Sequence, residues 1–143
     1  AYLDLDNIVK NTKAGKSIIN KLKVSKDSAL KKFEQKEKEL KKAEEDINKQ
    51  KNVLSKEELK SKVLNFRKEV SSFRSEREKL INNFNIKKTQ EFEKFFKKIT
   101  PIIGEYVAEK KIDIVLDKKN IFLANKNNDI TNEIIKLIDE KIK

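Results

Sequence analysis

The densest run of carboxylates in this chain is Glu44-Glu45-Asp46. Three acids in one place suggest a hard-cation site, but adjacent residues on a helix of 3.6 residues per turn point in different directions around its axis. The run therefore reads as a solvated face. The chain holds no His and no Cys, so the commonest nucleophile–base pairs and zinc sites cannot be built. It has two Gly and no phosphate-cradling glycine loop. These residues predict a protein that is not an enzyme and uses no cofactor or metal. Two other sets of side chains stand out. One is an excess of 35 Lys and Arg over 24 Asp and Glu, a field that draws acidic partners and acidic surfaces. The other is Phe66, Phe73, Phe84, Phe92, Phe95 and Phe96 at helical spacing. These rings pack a helix seam, and those whose edges stay open can touch apolar segments of another protein.

The charge is unevenly placed. Of the net +11, residues 13–54 carry +6 and residues 55–110 carry +5, while 1–12 and 111–143 balance to −1 and +1. Charged residues make up 41% of the chain, with one Pro and two Gly. Few punctuating residues imply few, long elements, and such a composition with helical periodicity reads as long helix or coiled coil. Without Met, the chain is expected to have lost its initiator, alone or with a leader. No apolar run approaches ~18 residues, so a soluble chain is expected.

The elements follow from periodicity. Ala1-Tyr2-Leu3-Asp4-Leu5 opens as a strand, and Asp6 or Asn7 can cap a helical turn through Ile8 and Val9. Gly15 interrupts that turn or lets two backbones approach. A helix over 13–52 places Ile19, Lys26, Phe33, Leu40, Ile47 and Leu54 at heptad position a, with Leu22, Ala29, Lys36, Ala43 and Gln50 at d. So narrow a stripe suits pairing with one neighbouring helix. Ser55-Lys56-Glu57-Glu58 has capping-box spacing, which puts a hairpin tip near 52–55. A second helix over 56–110 carries Leu59, Val63, Phe66, Val70, Phe73, Arg77, Leu80 and Phe84. Lys88 then falls where an apolar residue is due, a stutter before Phe92, Phe95, Ile99, Ile102 and Tyr106. Pro101 is expected to bend this helix. Ile112–Asp117 and Ile121–Ala124 read as two strands, and Asp129-Ile130-Thr131 starts a last amphipathic helix. The expected body core is Leu3, Leu5, Ile8, Ile112, Ile114, Leu116, Ile121, Leu123, Ile134, Leu137 and Ile138. The fold class is α+β. A long antiparallel coiled-coil hairpin, 13–110, stands on a small β-rich body made from 1–12 and 111–143. A core that thin calls for association.

The opening Ala1–Val9 with Lys13-Ala14-Gly15-Lys16 resembles the start of mature Skp/OmpH proteins. Ile112–Asp117, Asp129-Ile130-Thr131 and the closing Ile/Lys helix resemble their end. The resemblance covers essentially the whole chain. It implies a periplasmic homotrimer whose β-rich body carries three helical tentacles around a cavity, where unfolded outer-membrane protein precursors are held without ATP. Client contacts would then fall among Phe66, Phe73, Phe84, Phe92 and Phe95. The family also implies a lipopolysaccharide cluster on the second helix, which matches Arg77, Lys87 and Lys88 here; an anionic membrane surface is a related partner. Lys is a poorer bidentate phosphate binder than the Arg it replaces at two of these positions.

Two other classes compete. A basic coiled coil can bind nucleic acid through phosphates, but no recognised binding motif is present and acids interrupt any basic track. A structural adaptor would hold one folded partner, whereas a chaperone would suppress aggregation of several unfolded ones.

Overall fold

The computed structural model describes residues 1–142. Its chain divides into two compact units, Ala1–Lys23 with Lys88–Lys143, and Val24–Lys87.

In the terminal unit, strand β1 is only Tyr2–Leu3. Asp4, not Asp6 or Asn7, caps the first helix: its carboxylate accepts the Asn7 N–H at 2.9 Å, and α1 runs Leu5–Asn11. Thr12 turns the corner into α2, Lys13–Gln50. Its buried hydroxyl donates to the Ile8 carbonyl at 2.8 Å and accepts the Gly15 N–H at 3.2 Å. A Cβ on Gly15 would lie 2.0 Å from the Val9 carbonyl oxygen. Of the two roles expected for Gly15, the structure uses close backbone approach, inside a continuous helix.

The capping box forms as its spacing predicts. Ser55 N–H donates to Glu58 Oε2 at 3.0 Å, and Glu58 N–H donates to Ser55 Oγ at 3.2 Å. The Ser55 backbone N–H, followed by the Ser55 hydroxyl donating to the same oxygen at 2.8 Å, holds the Glu58 carboxyl below its ordinary pKa. Helix α3 then runs Lys56–Glu109 and continues through Pro101. Ile99 and Ile102 are buried on either side of the proline, so both flanks are held in the same core. Lys111 ends the helix at φ 52°, a left-handed conformation that costs a non-glycine residue about 1 kcal/mol.

The segment after α3 departs from expectation. Only Leu116–Asp117 is a strand, β2, parallel to β1 with Tyr2 opposite Leu116 and Leu3 opposite Asp117. A single bridge joins Tyr2 to Asp129. Among the described residues, no strand covers 121–124, so the sheet has two strands and the terminal unit is not β-rich. Local side-chain bonds explain part of this. Asp117 accepts the Lys119 N–H at 3.3 Å and Asn125 accepts the Asn127 N–H at 2.9 Å. Each folds the chain into a short 3₁₀ turn, Lys118–Asn120 and Lys126–Asn128, in competition with a strand.

Helix α4 spans Thr131–Lys141. Asp129 accepts the Thr131 N–H at 3.0 Å, and Thr131 Oγ1 accepts the Asp4 N–H at 2.9 Å, tying the two chain ends together. Burial opposes the charge on Asp129, but hydrogen bonds from Thr131 and the nearby Lys118 and Lys126 outweigh it and hold its pKa low. The core comprises Leu3, Ile8, Phe95, Ile99, Ile102, Ile130, Ile134 and Ile138. Leu5, Ile112 and Leu137 pack against it, and Ile121 is half-buried. Ile114, Leu116 and Leu123, expected inside, are exposed. Among the described residues, nothing covers these three side chains.

Candidate functional site

In the hairpin unit the C-terminal part of α2 packs antiparallel on the N-terminal part of α3. The seam side of α2 follows Ala29, Phe33, Lys36, Leu40, Ala43 and Ile47, and that of α3 follows Val63, Phe66, Val70 and Phe73, all at least half-buried. The steps alternate three and four, as a coiled-coil seam requires. Phe33 and Phe73 meet edge to face with centroids 6.0 Å apart. The Arg77 guanidinium lies 5.8 Å from the Phe33 centroid, and its Nη1 is 3.3 Å from Glu37 Oε1. Both partners of that ion pair are about half exposed, so the pair contributes little, roughly 0–1 kcal/mol.

Beyond this contact the seam opens. Ser25, not the expected Lys26, turns inward, and Lys26 is exposed. On α3, Leu80 and Ile81 are exposed and Phe84 is half-buried. The result is a groove of about 340 Å³ lined by Ser25, Lys26, Ala29, Leu30, Phe33, Leu80, Ile81, Asn83, Phe84 and Lys87. Its walls are apolar, and both charged side chains on it are lysines.

The terminal unit has a different depression. About 610 Å³ is framed by Lys13, Lys21, Lys94, Lys97 and Lys98 over an apolar floor of Ala14, Ile18, Phe95 and Ile142. Among the described residues, Glu91 is the one carboxylate on it, 3.6 Å from Lys94.

The residues singled out from sequence separate. Phe95 is 3% exposed in the terminal core and Phe73 is buried in the seam. Phe66 is half-buried beside Ala43 and Ile47 on a shallow seam depression. Phe84 lines the groove and Phe92 is half-buried. Arg77 is paired with Glu37, Lys87 stands on the groove rim, and Lys88, exposed, belongs to the other unit. Sequence reading missed that Val24, Leu30, Ile81 and Ile86 stay exposed, and it placed Leu80, also exposed, on the seam. A signal was present in the pattern, where Lys26 and Lys88 occupy positions expected on the seam; both are exposed. Glu44, Glu45 and Asp46 are exposed. Among the described residues no group of three or more acids, His or Cys is placed to hold a metal, and no helix is long and apolar enough to cross a membrane.

The model of one protein family, outer membrane protein (OmpH-like), matches residues 1–138. A crystal structure of a candidate outer membrane chaperone (OmpH-like) from Caulobacter crescentus CB15 superposes with a TM-score of 0.90 at 15% identity, covering 100% of this chain and 85% of that one. That likeness shows a shared fold. No curated protein sequence matches the chain.

Proposed function

Because the chain belongs to the outer membrane protein (OmpH-like) family, we propose that it is a periplasmic holdase chaperone that encloses unfolded outer-membrane protein precursors between basic helical arms. The observation that carries this reading is the exposed aliphatic side chains of the hairpin unit: Leu30, Leu80 and Ile81 on the groove, and Val24 and Ile86 elsewhere on the same helices, in a unit rich in lysine. Apolar burial contributes roughly 25 cal/mol per Å², so a few half-open side chains hold a client weakly. Several arms acting together raise the effective concentration. The basic excess draws acidic clients at long range. The sequence has no nucleotide-cradling glycine loop, which supports ATP independence.

The enclosure needs more than one copy. Ile114, Leu116, Phe122 and Leu123 are exposed beside a sheet of only two strands. This supports a body in which copies complete one another's sheet, and a homotrimer is the proposed assembly. Arg77, Lys87 and Lys88 are the proposed lipopolysaccharide contacts, Phe66, Phe84 and Phe92 the proposed client-facing rings, and Phe73 and Phe95 pack the fold that carries them. Nucleic-acid binding is not favoured.

The test is light scattering of a β-barrel precursor diluted from urea, with and without the protein, with no nucleotide added. Scattering should fall, and capture should slow as salt rises from ~0.01 M to ~1 M and the screening length shrinks from about 30 Å to about 3 Å. Sedimentation should give a species of three chains. Unchanged scattering would falsify the chaperone reading, and a monomer would remove the enclosure.

A further inference from the structure

The groove in the hairpin unit exists because two seam irregularities face each other. On α2, Ser25 and Ala29 put small side chains where a regular seam would place larger ones. On α3, Phe84 is the only residue between Phe73 and Lys87 that turns even half inward. Space opens between them, walled by Leu30, Phe33, Leu80, Ile81 and Phe84. Leu30, Leu80 and Ile81 keep 45%, 42% and 49% of their surface exposed. At about 340 Å³, the groove falls at the small end of the ~300–1,000 Å³ range of ligand pockets. Its rim charges have one sign, from Lys26 and Lys87, and no carboxylate lines it.

We infer that this groove seats a short apolar stretch of unfolded polypeptide flanked by carboxylates. One or two large side chains enter against Leu30 and Phe84, while Asp or Glu residues on either side meet Lys26 and Lys87. The inference rests on the chaperone reading and names the client chemistry at one place on the arm. Charge complementarity selects the occupant. A second arm of this chain would bring the same basic excess of residues 13–110 against these two lysines and is disfavoured there, whereas an acid-flanked segment gains from both lysines as its apolar centre leaves water.

The test uses the full chain and two fluorescent peptides, one with a Leu-Phe-Leu centre between glutamates and its twin with lysines instead. The glutamate peptide should bind about tenfold more tightly, since like-charge juxtaposition is strongly penalised at an interface. Ala29→Leu fills the groove with a good helix former and should weaken glutamate-peptide binding about tenfold, with helicity by circular dichroism unchanged. Lys26→Gln with Lys87→Gln should bring the two peptides together in affinity. Equal binding of the twins by the wild-type chain, or indifference to Ala29→Leu, would overturn the seat. So would displacement of the peptide by dodecyl phosphate at concentrations below those of unlabelled peptide, which would assign the groove to a lipid chain. Aggregation suppression in the same samples separates the two levels. Intact suppression with peptide binding blind to Ala29→Leu removes the seat alone, and a wild-type chain that suppresses nothing removes the chaperone reading and the seat with it.

Discussion

The terminal unit and the hairpin unit share the same two long helices, yet they bury very different things. Around residues 1–23 and 88–142, Ile8, Ile99, Ile134 and Ile138 are each under 2% exposed. In residues 24–87 only Leu40 and Phe73 are buried, and they keep 8% and 9% of their surface exposed. The difference lies in what each helix has beside it. In the terminal unit α1, α4 and the two strands close over α3. In the hairpin unit each helix has one neighbour and one narrow stripe to hide. Two helices alone can be regular, but they cannot enclose a core, so apolar side chains that do not fit the stripe stay in water. The closed core lies in one unit, whereas exposed apolar side chains occur in both: along the helices of the hairpin unit, and at Ile114, Leu116, Phe122 and Leu123 of the terminal unit.

The largest test of that contrast is truncation. Ile138→Ala, in the closed core, should cost about 3–5 kcal/mol, the upper part of the usual range for such changes. Leu40→Ala, on an open seam, should cost about 2 kcal/mol. Thermal melts that rank them the other way would break the comparison. The two glycines give a pair of opposite sign. Gly15→Ala drives a Cβ into the Val9 carbonyl and should destabilise by about 2–3 kcal/mol. Gly104 has nothing within 4 Å of its would-be Cβ, so Gly104→Ala should stabilise α3 by up to about 1 kcal/mol.

A smaller effect belongs to the hairpin tip. Ser55→Ala should cost about 1 kcal/mol, read as faster amide exchange near residues 50–60, with exchange at α4 unchanged. Equal acceleration in both units would show one cooperative block instead of two regions of different stability.

The smallest effect is with pH. Glu58 is held below its ordinary value of 4.5, chiefly by the Ser55 backbone N–H. Asp117 is held below 3.8 by Lys119. A carboxyl depressed in the folded state contributes its stability in full above its ordinary value and loses it as pH falls through the lowered one. Acid titration followed by exchange should therefore leave both contributions intact above pH 4.5. Below that the tip should begin to loosen before the turn at Asp117. Loosening of either on raising the pH would contradict the sign.

Much of the helical part was legible because its information is local. Ser55 and Glu58 sit three residues apart and find each other without help from the rest of the chain. The stripe from Leu59 to Phe73 keeps its step of three and four whatever surrounds it. The pattern carried the seam on to Leu80 and Phe84 before Lys88, but in the structure it opens after Phe73 and Leu80 is exposed. Less legible was anything that depended on a partner. Ile121–Ala124 has the pattern of a strand but pairs with no strand among the described residues, while Asp117 and Asn125 offer the backbone nearer bonds. Phe73, Phe84 and Phe95 look alike in sequence, yet one closes a seam, one lines a groove and one fills a core.

From residue order alone came the lengths of the helices, the turn between them, the absence of His and Cys, and the basic excess. Each depends on side-chain type and short-range spacing. Tertiary structure decided which apolar residues are hidden and which remain open. It turned Ser25 inward in place of Lys26, put Phe95 with Ile99 and Ile138, and left Leu30 and Ile81 in water. Burial depends on what packs opposite, and the opposing residue stands tens of positions away in the chain.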